Sequence, residues 1–259
     1  MKWRRRSRSA RPSGGGRDWV RCPRCVEILP ADEVSRQQGV CPACGYHHPL
    51  GWDERVEGLC DAGSFEEQDQ RLATEDLLRF KGAKRYKDQL AEARKASGSD
   101  EAVRAGLARL DGRQVALAVV DPEFLQGAVG AVAGERLART LARAAANRCP
   151  AVLVLAGGAP RHAEGLIGQV QIARLADQRA TLYDASVPLV AVLVPPLPDP
   201  PLLHLATSAD VVLAEPADAG VGEGPSAEDL REAGLVDRIV PRAELKAELS
   251  RLLSLLQPD

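Results

Sequence analysis

Residues 115–120 read Val-Ala-Leu-Ala-Val-Val and residues 151–155 read Ala-Val-Leu-Val-Leu, two short apolar segments on either side of a longer stretch of mixed character. Continuous apolar runs of this length are typical of strands that are buried on both faces of a sheet. Between them, residues 134–148 repeat apolar side chains at helical spacing and are predicted to form an amphipathic helix. The strand–helix–strand order predicts a parallel sheet in an α/β domain.

The same alternation continues toward both ends of the chain. Two further apolar segments, 189–194 and 211–214, are predicted to be strands of the same sheet. Helical spacing is found in six more segments, which are 54–59, 83–95, 101–107, 164–184, 202–208 and 243–256. The pattern therefore predicts a parallel α/β core with helices on both faces of the sheet.

Composition and charge limit the class of protein. The chain has 259 residues, a net charge of −2 and only 3% aromatic residues, so the core is expected to consist mainly of Ala, Val and Leu. A charge this small gives no general attraction to nucleic acid or to anionic membranes. The longest apolar run, 187–194, is far shorter than the roughly 20 residues that span a bilayer. We therefore expect a cytoplasmic protein that does not contact membranes.

Three regions are predicted along the chain. Residues 1–18 form a basic tail that we expect to be disordered, since positions 1–17 hold seven Lys or Arg and no acidic residue. Residues 19–52 are rich in Cys, Pro, Gly and His, and residues 53–259 carry the α/β pattern.

Four cysteines in the second region have the spacing of a metal site. Cys22 and Cys25 form one C-x2-C pair, Cys41 and Cys44 form another, and fifteen residues separate the pairs. Four thiolates at this spacing are typical of a tetrahedral Zn²⁺ in a zinc ribbon, with no position left for water or substrate. The alternatives are four unrelated thiols or an iron–sulfur site.

The remaining histidines and cysteines near this region receive simpler interpretations. His47 and His48 are surplus to a complete sulfur set and are predicted to lie on the surface. Cys60 and Cys149 are isolated in the sequence, and we expect both to be buried apolar thiols.

The order of motifs along the chain resembles the β subunit of bacterial acetyl-CoA carboxylase carboxyltransferase. The resemblance begins at the second cysteine pair and covers nearly all of the chain beyond the tail. The matching segments keep their order and approximate spacing, and they are 40–48, Arg55, 59–61, 63–67, 77–80, 84–90, 100–106, 124–135, 157–159, 164–165, 209–216 and 234–240.

The resemblance implies a fold, a reaction and partners. The fold would be crotonase-like, a spiral of β-β-α units. The reaction would move a carboxyl group from carboxybiotin, held on the biotin carboxyl carrier protein, to acetyl-CoA and yield malonyl-CoA for fatty-acid synthesis. An α subunit would share the site, and the separate biotin carboxylase would consume the ATP, so no ATP site is expected in this chain.

Gly157 and Gly158 are the candidate catalytic residues. The reaction passes through an enolate, and backbone N–H groups can stabilise the oxygen on which its negative charge develops. Glycines that follow the strand at 151–155 allow close backbone approach, and a helix beginning there would favour an anion. Arg161, nearby in the sequence, is a candidate contact for a CoA phosphate, whereas His162 and His204 are not expected to act as bases.

Two segments depart from the pattern of the family. The segment 157–165 is one residue longer and has Pro160 in place of an arginine. Residues 194–204 are proline-rich where the family has a second pair of glycines, and proline has no N–H to donate. Two interpretations stay open: a partner supplies the missing donors to a working enzyme, or the chain is a catalytically impaired paralogue that serves as a structural subunit.

A binding module for nucleic acid is the remaining alternative. The basic tail and the ribbon together would contact phosphates. Against it stand an isoelectric point of about 6.1 and few aromatic residues near the ribbon, which are Trp19, Tyr46 and Trp52.

Overall fold

A computed structural model describes residues 19–217 and 224–257. The predicted basic tail lies outside the described residues. The N-terminal unit is small: strand β1 (Trp19–Arg21) pairs antiparallel with β2 (Ile28–Pro30), and helix α1 (Ala31–Arg36) follows directly.

A seven-stranded sheet forms the centre of the larger unit. Its strands are adjacent in the order in which they occur in the chain; β3 to β5 are antiparallel, and β5 to β9 are parallel. The predicted parallel core is therefore confirmed, with an antiparallel extension at one edge. The strands are β3 (Glu66–Gln68), β4 (Val103–Leu110), β5 (Arg113–Val120), β6 (Ala151–Leu155), β7 (Leu189–Leu193), β8 (Val211–Ala214) and β9 (Arg238–Ile239).

Helices cover both faces of this sheet. Alternate residues of β6 point to opposite faces: Leu153 packs in the cluster that includes α4 and α5, while Val152 and Val154 pack in the cluster that includes α2 and α8. Among the described residues, no helix combines the length and the apolar character needed to cross a membrane. The helices are α2 (Trp52–Leu59), α3 (Tyr86–Ser97), α4 (Ala131–Asn147), α5 (Leu166–Asp184), α6 (Pro200–Ala206), α7 (Ala227–Glu232) and α8 (Arg242–Leu256).

One predicted helix is wrong. Residues 101–107 were expected to be helical but belong largely to β4, which pairs with β5 over eight residues. Gly106 explains the difference, since a Cβ at this position would lie 2.2 Å from the carbonyl oxygen of Glu66 on β3. A glycine inside a strand marks such a close backbone approach. The strands predicted at 151–155 and 211–214 have the predicted bounds.

Candidate functional site

The four cysteines of the two C-x2-C pairs converge in the structure. Their sulfur atoms all lie within 4.8 Å of one another, with 3.7 Å between Cys22 and Cys44 and 3.8 Å between Cys25 and Cys41. A tetrahedron of sulfurs at about 2.3 Å from a zinc ion has edges of about 3.8 Å. The observed spacing therefore fits zinc.

Each cysteine pair is shaped by a local turn. The N–H of Val26 donates to the carbonyl oxygen of Cys22, and the N–H of Gly45 donates to that of Cys41, at 3.0 and 2.8 Å. Val26 and Gly45 both have positive φ, of 59° and 73°. The left-handed residue after each pair folds the chain back, so that both thiols face the same point.

A buried carboxylate joins the N-terminal unit to the larger unit. We call the first the cysteine-rich unit (residues 19–52) and the second, which contains the seven-stranded sheet, the sheet domain. Glu215 follows β8, is fully buried, and accepts hydrogen bonds from Arg55 and from the Nε and Nη2 atoms of Arg242. Arg242 also donates to the carbonyl oxygens of Gln38 (2.7 Å) and His48 (3.0 Å) in the cysteine-rich unit. One arginine of α8 thus holds both units.

His47 and His48 are not surface residues, which corrects the sequence prediction. They are 6% and 1% exposed, and Nδ1 of His47 lies 3.5 Å from Oε2 of Glu215. Burial, followed by the positive charge of Arg242 and the neighbouring His47, lowers the pKa of His48 to about 4. The two histidines lie at the junction between the units, where Arg242 contacts His48 and Glu215 lies close to His47. Cys60 and Cys149 are buried, as predicted.

A cleft of about 1290 Å³ opens at the carboxyl ends of the parallel strands. In open parallel sheets this edge is the usual place for a ligand. Segments that follow β5, β6 and β7 form its walls together with α3 and with Pro49 and Leu50 of the cysteine-rich unit. Its lining residues include Tyr86, Gln89, Ala93, Pro122, Leu125, Gln126, Ala128, Ala159, Pro160, Arg161, His162 and Pro196.

Gly157 and Gly158 lie at this edge, directly after β6. Both have positive φ, of 56° and 104°, and a Cβ on Gly158 would lie 2.3 Å from Cδ1 of Leu202. No helix begins at these glycines, since α5 starts only at Leu166. Only glycine fits this turn. The expectation that the N-terminus of a helix would favour an anion here is wrong, because no helix begins at these residues.

The amides of both glycines are already hydrogen-bonded within the chain. Gly157 donates to the carbonyl oxygen of Pro196 at 2.9 Å, and Gly158 donates to that of Gln126 at 3.2 Å. The N–H of Asp199 in turn donates to the Gly157 carbonyl oxygen at 2.8 Å, so the proline-rich segment is fastened to this turn. The cleft stays open beside it. The role of the two glycine amides as oxyanion donors stays a prediction. It requires that the hydrogen bond to the carbonyl oxygen of Gln126 or of Pro196 break, so that a glycine N–H becomes free to donate to the substrate.

Arg161 is buried and is therefore not available to bind a CoA phosphate, contrary to the expectation from sequence. Its guanidinium is buried and forms an ion pair with Glu101, while its Nε and Nη2 atoms donate to the carbonyl oxygen of Ala128 at 3.1 and 2.6 Å. Burial favours the neutral form, but the hydrogen bond and the charge of Glu101 outweigh it and raise the pKa of Arg161. Arg161 thereby ties together the two segments that form one wall of the cleft.

A buried cluster that the sequence analysis missed extends from Arg161. The hydroxyl of Tyr86 donates to Oε1 of Glu164 at 2.6 Å, and Oε2 of Glu164 accepts from the N–H of Ala131 at 2.6 Å. Glu164 therefore satisfies the N-terminus of α4 as well. No local sequence pattern indicates this cluster, since its members come from distant segments. His162 and His204 are exposed and have no part in it.

The fold and the cleft define a carboxyl transferase domain, and the model of the carboxyl transferase domain family matches residues 51–197. A β-subunit sequence from Rubrobacter xylanophilus is 39% identical over 251 residues, which are 91% of this chain and 96% of that protein. The chain belongs to the family of acetyl-coenzyme A carboxylase carboxyl transferase β subunits.

Other relatives agree with this assignment. A protein from Saccharopolyspora erythraea named as subunits beta/alpha is 39% identical over 91% of this chain, which spans only 44% of that longer protein. Among solved structures, a Pseudomonas malonate decarboxylase hetero-tetramer has a TM-score of 0.62 at 22% identity and covers 86% of this chain and 87% of its own. Transcarboxylase 12S has a TM-score of 0.64 at 18% identity, and the match covers 87% of this chain and 44% of the transcarboxylase chain. The last two show the fold, and the predicted crotonase-like class is confirmed.

Proposed function

We propose that this chain is the β subunit of an acetyl-CoA carboxylase carboxyl transferase and that acetyl-CoA and carboxybiotin react in its cleft. The observation that carries the proposal is the open cleft at the carboxyl ends of β5, β6 and β7 in a member of this family. The proposed partners are the α subunit, the biotin carboxyl carrier protein and biotin carboxylase, and the proposed compartment is the cytoplasm.

The proposed chemistry places few demands on side chains. A C–H bond of the acetyl methyl group breaks, its proton goes to the biotin nitrogen that releases the carboxyl group, and a C–C bond forms to give malonyl-CoA. Biotin thus serves as the base in this proposal, and no role is assigned to His162, which lines the cleft and is exposed. The chain's task is to position the thioester and to stabilise the enolate oxygen.

Gly157 and Gly158 are both buried, and neither lines the cleft, so each proposed oxyanion donor must be freed from its present hydrogen bond. The hydrogen bond from Gly158 to the carbonyl oxygen of Gln126, at 3.2 Å, is longer than the 2.9 Å bond from Gly157 to that of Pro196. It is therefore the weaker bond, and the Gly158 amide is the easier one for an enolate oxygen to recruit. Residues 194–204 supply no second glycine pair, so the remaining donors are proposed to come from the α subunit.

Zinc is proposed to be structural. With sulfur at all four positions, the ion has no open site for a substrate, and its role is to hold residues 19–52 in shape. That shape matters for the cleft, since Pro49 and Leu50 line it.

The test of the proposed function is reconstitution. The full chain is combined with the carboxyl transferase α subunit of the same organism, carboxylated carrier protein and acetyl-CoA, and malonyl-CoA is measured by mass spectrometry. We expect turnover that needs both subunits. Stable assembly without turnover would instead support a structural subunit, an alternative that the hydrogen-bonded amides of Gly157 and Gly158 favour.

Replacing Gly158 with alanine is expected to lower kcat by about 10²–10³ in this assay, the usual effect of losing one oxyanion donor. The added Cβ would overlap Leu202 and force the turn to move. Gly112→Ala is the matched control, because Gly112 also has positive φ (80°) but has no atom within 4 Å of an added Cβ. The control should lose some stability and keep its kcat. A Gly158→Ala variant with full kcat would remove Gly158 from the site.

A further inference from the structure

Two segments of the cleft wall pair with each other beside the glycine turn. One segment, residues 124–130, follows β5, and the other, residues 157–165, follows β6. The N–H of Val129 donates to the carbonyl oxygen of Ala159 at 3.0 Å, and the N–H of Arg161 donates to that of Val129 at 3.1 Å. We call these two paired segments the cleft ladder.

The side chain of Arg161 strengthens the cleft ladder. Its Nε and Nη2 atoms donate to the carbonyl oxygen of Ala128 at 3.1 and 2.6 Å, and its guanidinium lies 5.6 Å from the centre of the Phe124 ring. Both of these partners belong to the segment 124–130. Because an arginine presents its donors in a rigid planar fork, two donors on one carbonyl oxygen fix its distance and its direction together.

Buried carboxylates hold the guanidinium of Arg161 in one orientation. Glu101 is fully buried and accepts from Arg161 with both carboxylate oxygens. The hydroxyl of Thr74 and the N–H of Ala102 donate to the same carboxylate, one to each oxygen. Glu164 adds a second acid, with Oε1 at 3.2 Å from Nη1 of Arg161. A side chain locked by its own hydrogen-bond partners can in turn position the groups that it contacts.

The cleft ladder determines the place of the Gly158 amide. Gly158 lies three residues before Arg161 on one segment, and its N–H donates to the carbonyl oxygen of Gln126, two residues before Ala128, on the other. A shift of one segment along the other therefore changes how this amide is held and where it points. A misplacement of about 1 Å at a reacting centre lowers the rate by about 100-fold.

We propose that Arg161 is a positioning residue for carboxyl transfer, which acts by holding the Gly158 turn against the segment 124–130. The inference rests on the proposed function. The guanidinium of Arg161 is occupied by Glu101 and Ala128, so it acts through the turn and does not touch the substrate. A buried ion pair that served stability alone would leave the chemical step unchanged, and kinetic measurements therefore separate the two roles.

The experiment compares two buried arginines. Arg161→Lys keeps a positive charge but loses the planar fork that holds Ala128. Arg136→Lys is the matched control, because Arg136 is also fully buried and donates to two backbone carbonyl oxygens, both outside the cleft ladder. Each full-length variant is assayed for malonyl-CoA formation with the α subunit and carboxylated carrier protein. Urea unfolding gives its stability, and hydrogen exchange by mass spectrometry follows the amides of the cleft ladder.

We expect Arg161→Lys to lower kcat by about 100-fold and to leave the KM for acetyl-CoA nearly unchanged, since the loss concerns the transition state. Its cleft-ladder amides should exchange faster than those of wild type. Arg136→Lys should keep the wild-type kcat and the wild-type exchange of the cleft ladder, even where its urea midpoint is lower. Equal losses of kcat in the two variants would show that Arg161 serves stability alone.

A double variant tests the route through Gly158. If Arg161 acts through this turn, Gly158→Ala/Arg161→Lys should have the kcat of Gly158→Ala alone, because the two residues act as one unit. Losses that multiply would overturn the assignment to the Gly158 turn. An Arg161→Lys variant with wild-type kcat and exchange would overturn the positioning role and leave the proposed function standing. If wild type itself does not turn over, the proposed function fails and the positioning role fails with it.

Discussion

Replacing Cys41 with alanine is expected to abolish zinc binding and to unfold the cysteine-rich unit. Structural zinc sites contribute about 10–16 kcal/mol of apparent binding free energy, and folding of the ligand loops is coupled to it. The unit has little regular structure of its own, since it contains a two-stranded sheet and one six-residue helix. Zinc content by mass spectrometry should fall from about one ion per chain to nearly none, and residues 19–52 should become sensitive to protease.

The control for this variant is another cysteine of the same chain. Cys149→Ala removes a buried thiol that lies in the sheet domain and, among the residues that the structure describes, belongs to no cluster of potential metal ligands. It should keep a full complement of zinc and lose only the stability expected of a small core cavity. Undiminished zinc in Cys41→Ala would show that Cys22, Cys25, Cys41 and Cys44 are not the ligand set.

Replacing Glu215 with glutamine is expected to destabilise the protein by about 3–5 kcal/mol, the usual cost of removing one partner of a buried ion pair. Glu215 is fully buried between Arg55 and Arg242, so neutralising it removes the carboxylate that forms ion pairs with both buried guanidinium groups. Arg242 also holds Gln38 and His48, and its release should loosen the junction between the units. Urea unfolding at pH 7 measures the change.

The same variant should change the response to acid. Burial alone would raise the pKa of Glu215, but the charge of Arg55, the nearby His47 side chain and the charge of Arg242 hold it well below its usual range. A carboxyl with a lowered pKa in the folded state stabilises the protein above its unfolded pKa, about 4.3, and this stabilisation is lost as the pH falls below that value. Wild type should lose stability steeply below about pH 4.3, and Glu215→Gln less steeply.

A surface acid provides the comparison for Glu215. Asp32 forms an ion pair with Arg36 on α1, and both side chains are more than half exposed. Asp32→Asn should cost at most about 1 kcal/mol, because exposed pairs contribute little. If Glu215→Gln costs no more than Asp32→Asn, Glu215 does not hold the junction.

The helices and strands of the core could be predicted because their signals are local. The apolar runs at 151–155 and 211–214 are β6 and β8 with no change of bounds, and the helical spacing before β6 corresponds to α4. The short strands β3 and β9 were missed, since two or three residues carry no period. Strand β4 was mistaken for a helix because its small residues suit either state, and pairing with β5 decided between them.

The convergence of Cys22, Cys25, Cys41 and Cys44 on one point could be predicted from the sequence alone. Each C-x2-C pair is closed by a hydrogen bond over four residues, so the spacing itself fixes the direction of both thiols. The buried charges were decided only by the tertiary structure. Arg55 and Glu215 are 160 residues apart, and Arg161 and Glu101 are 60 apart, so no local pattern indicates that they pair. The hydrogen bonds of the Gly157 and Gly158 amides were likewise decided only by the tertiary structure. The carbonyl groups that accept from these amides come from the segments after β5 and β7. A group's solvation and hydrogen bonds depend on what the whole fold brings against it, and sequence spacing does not contain that information.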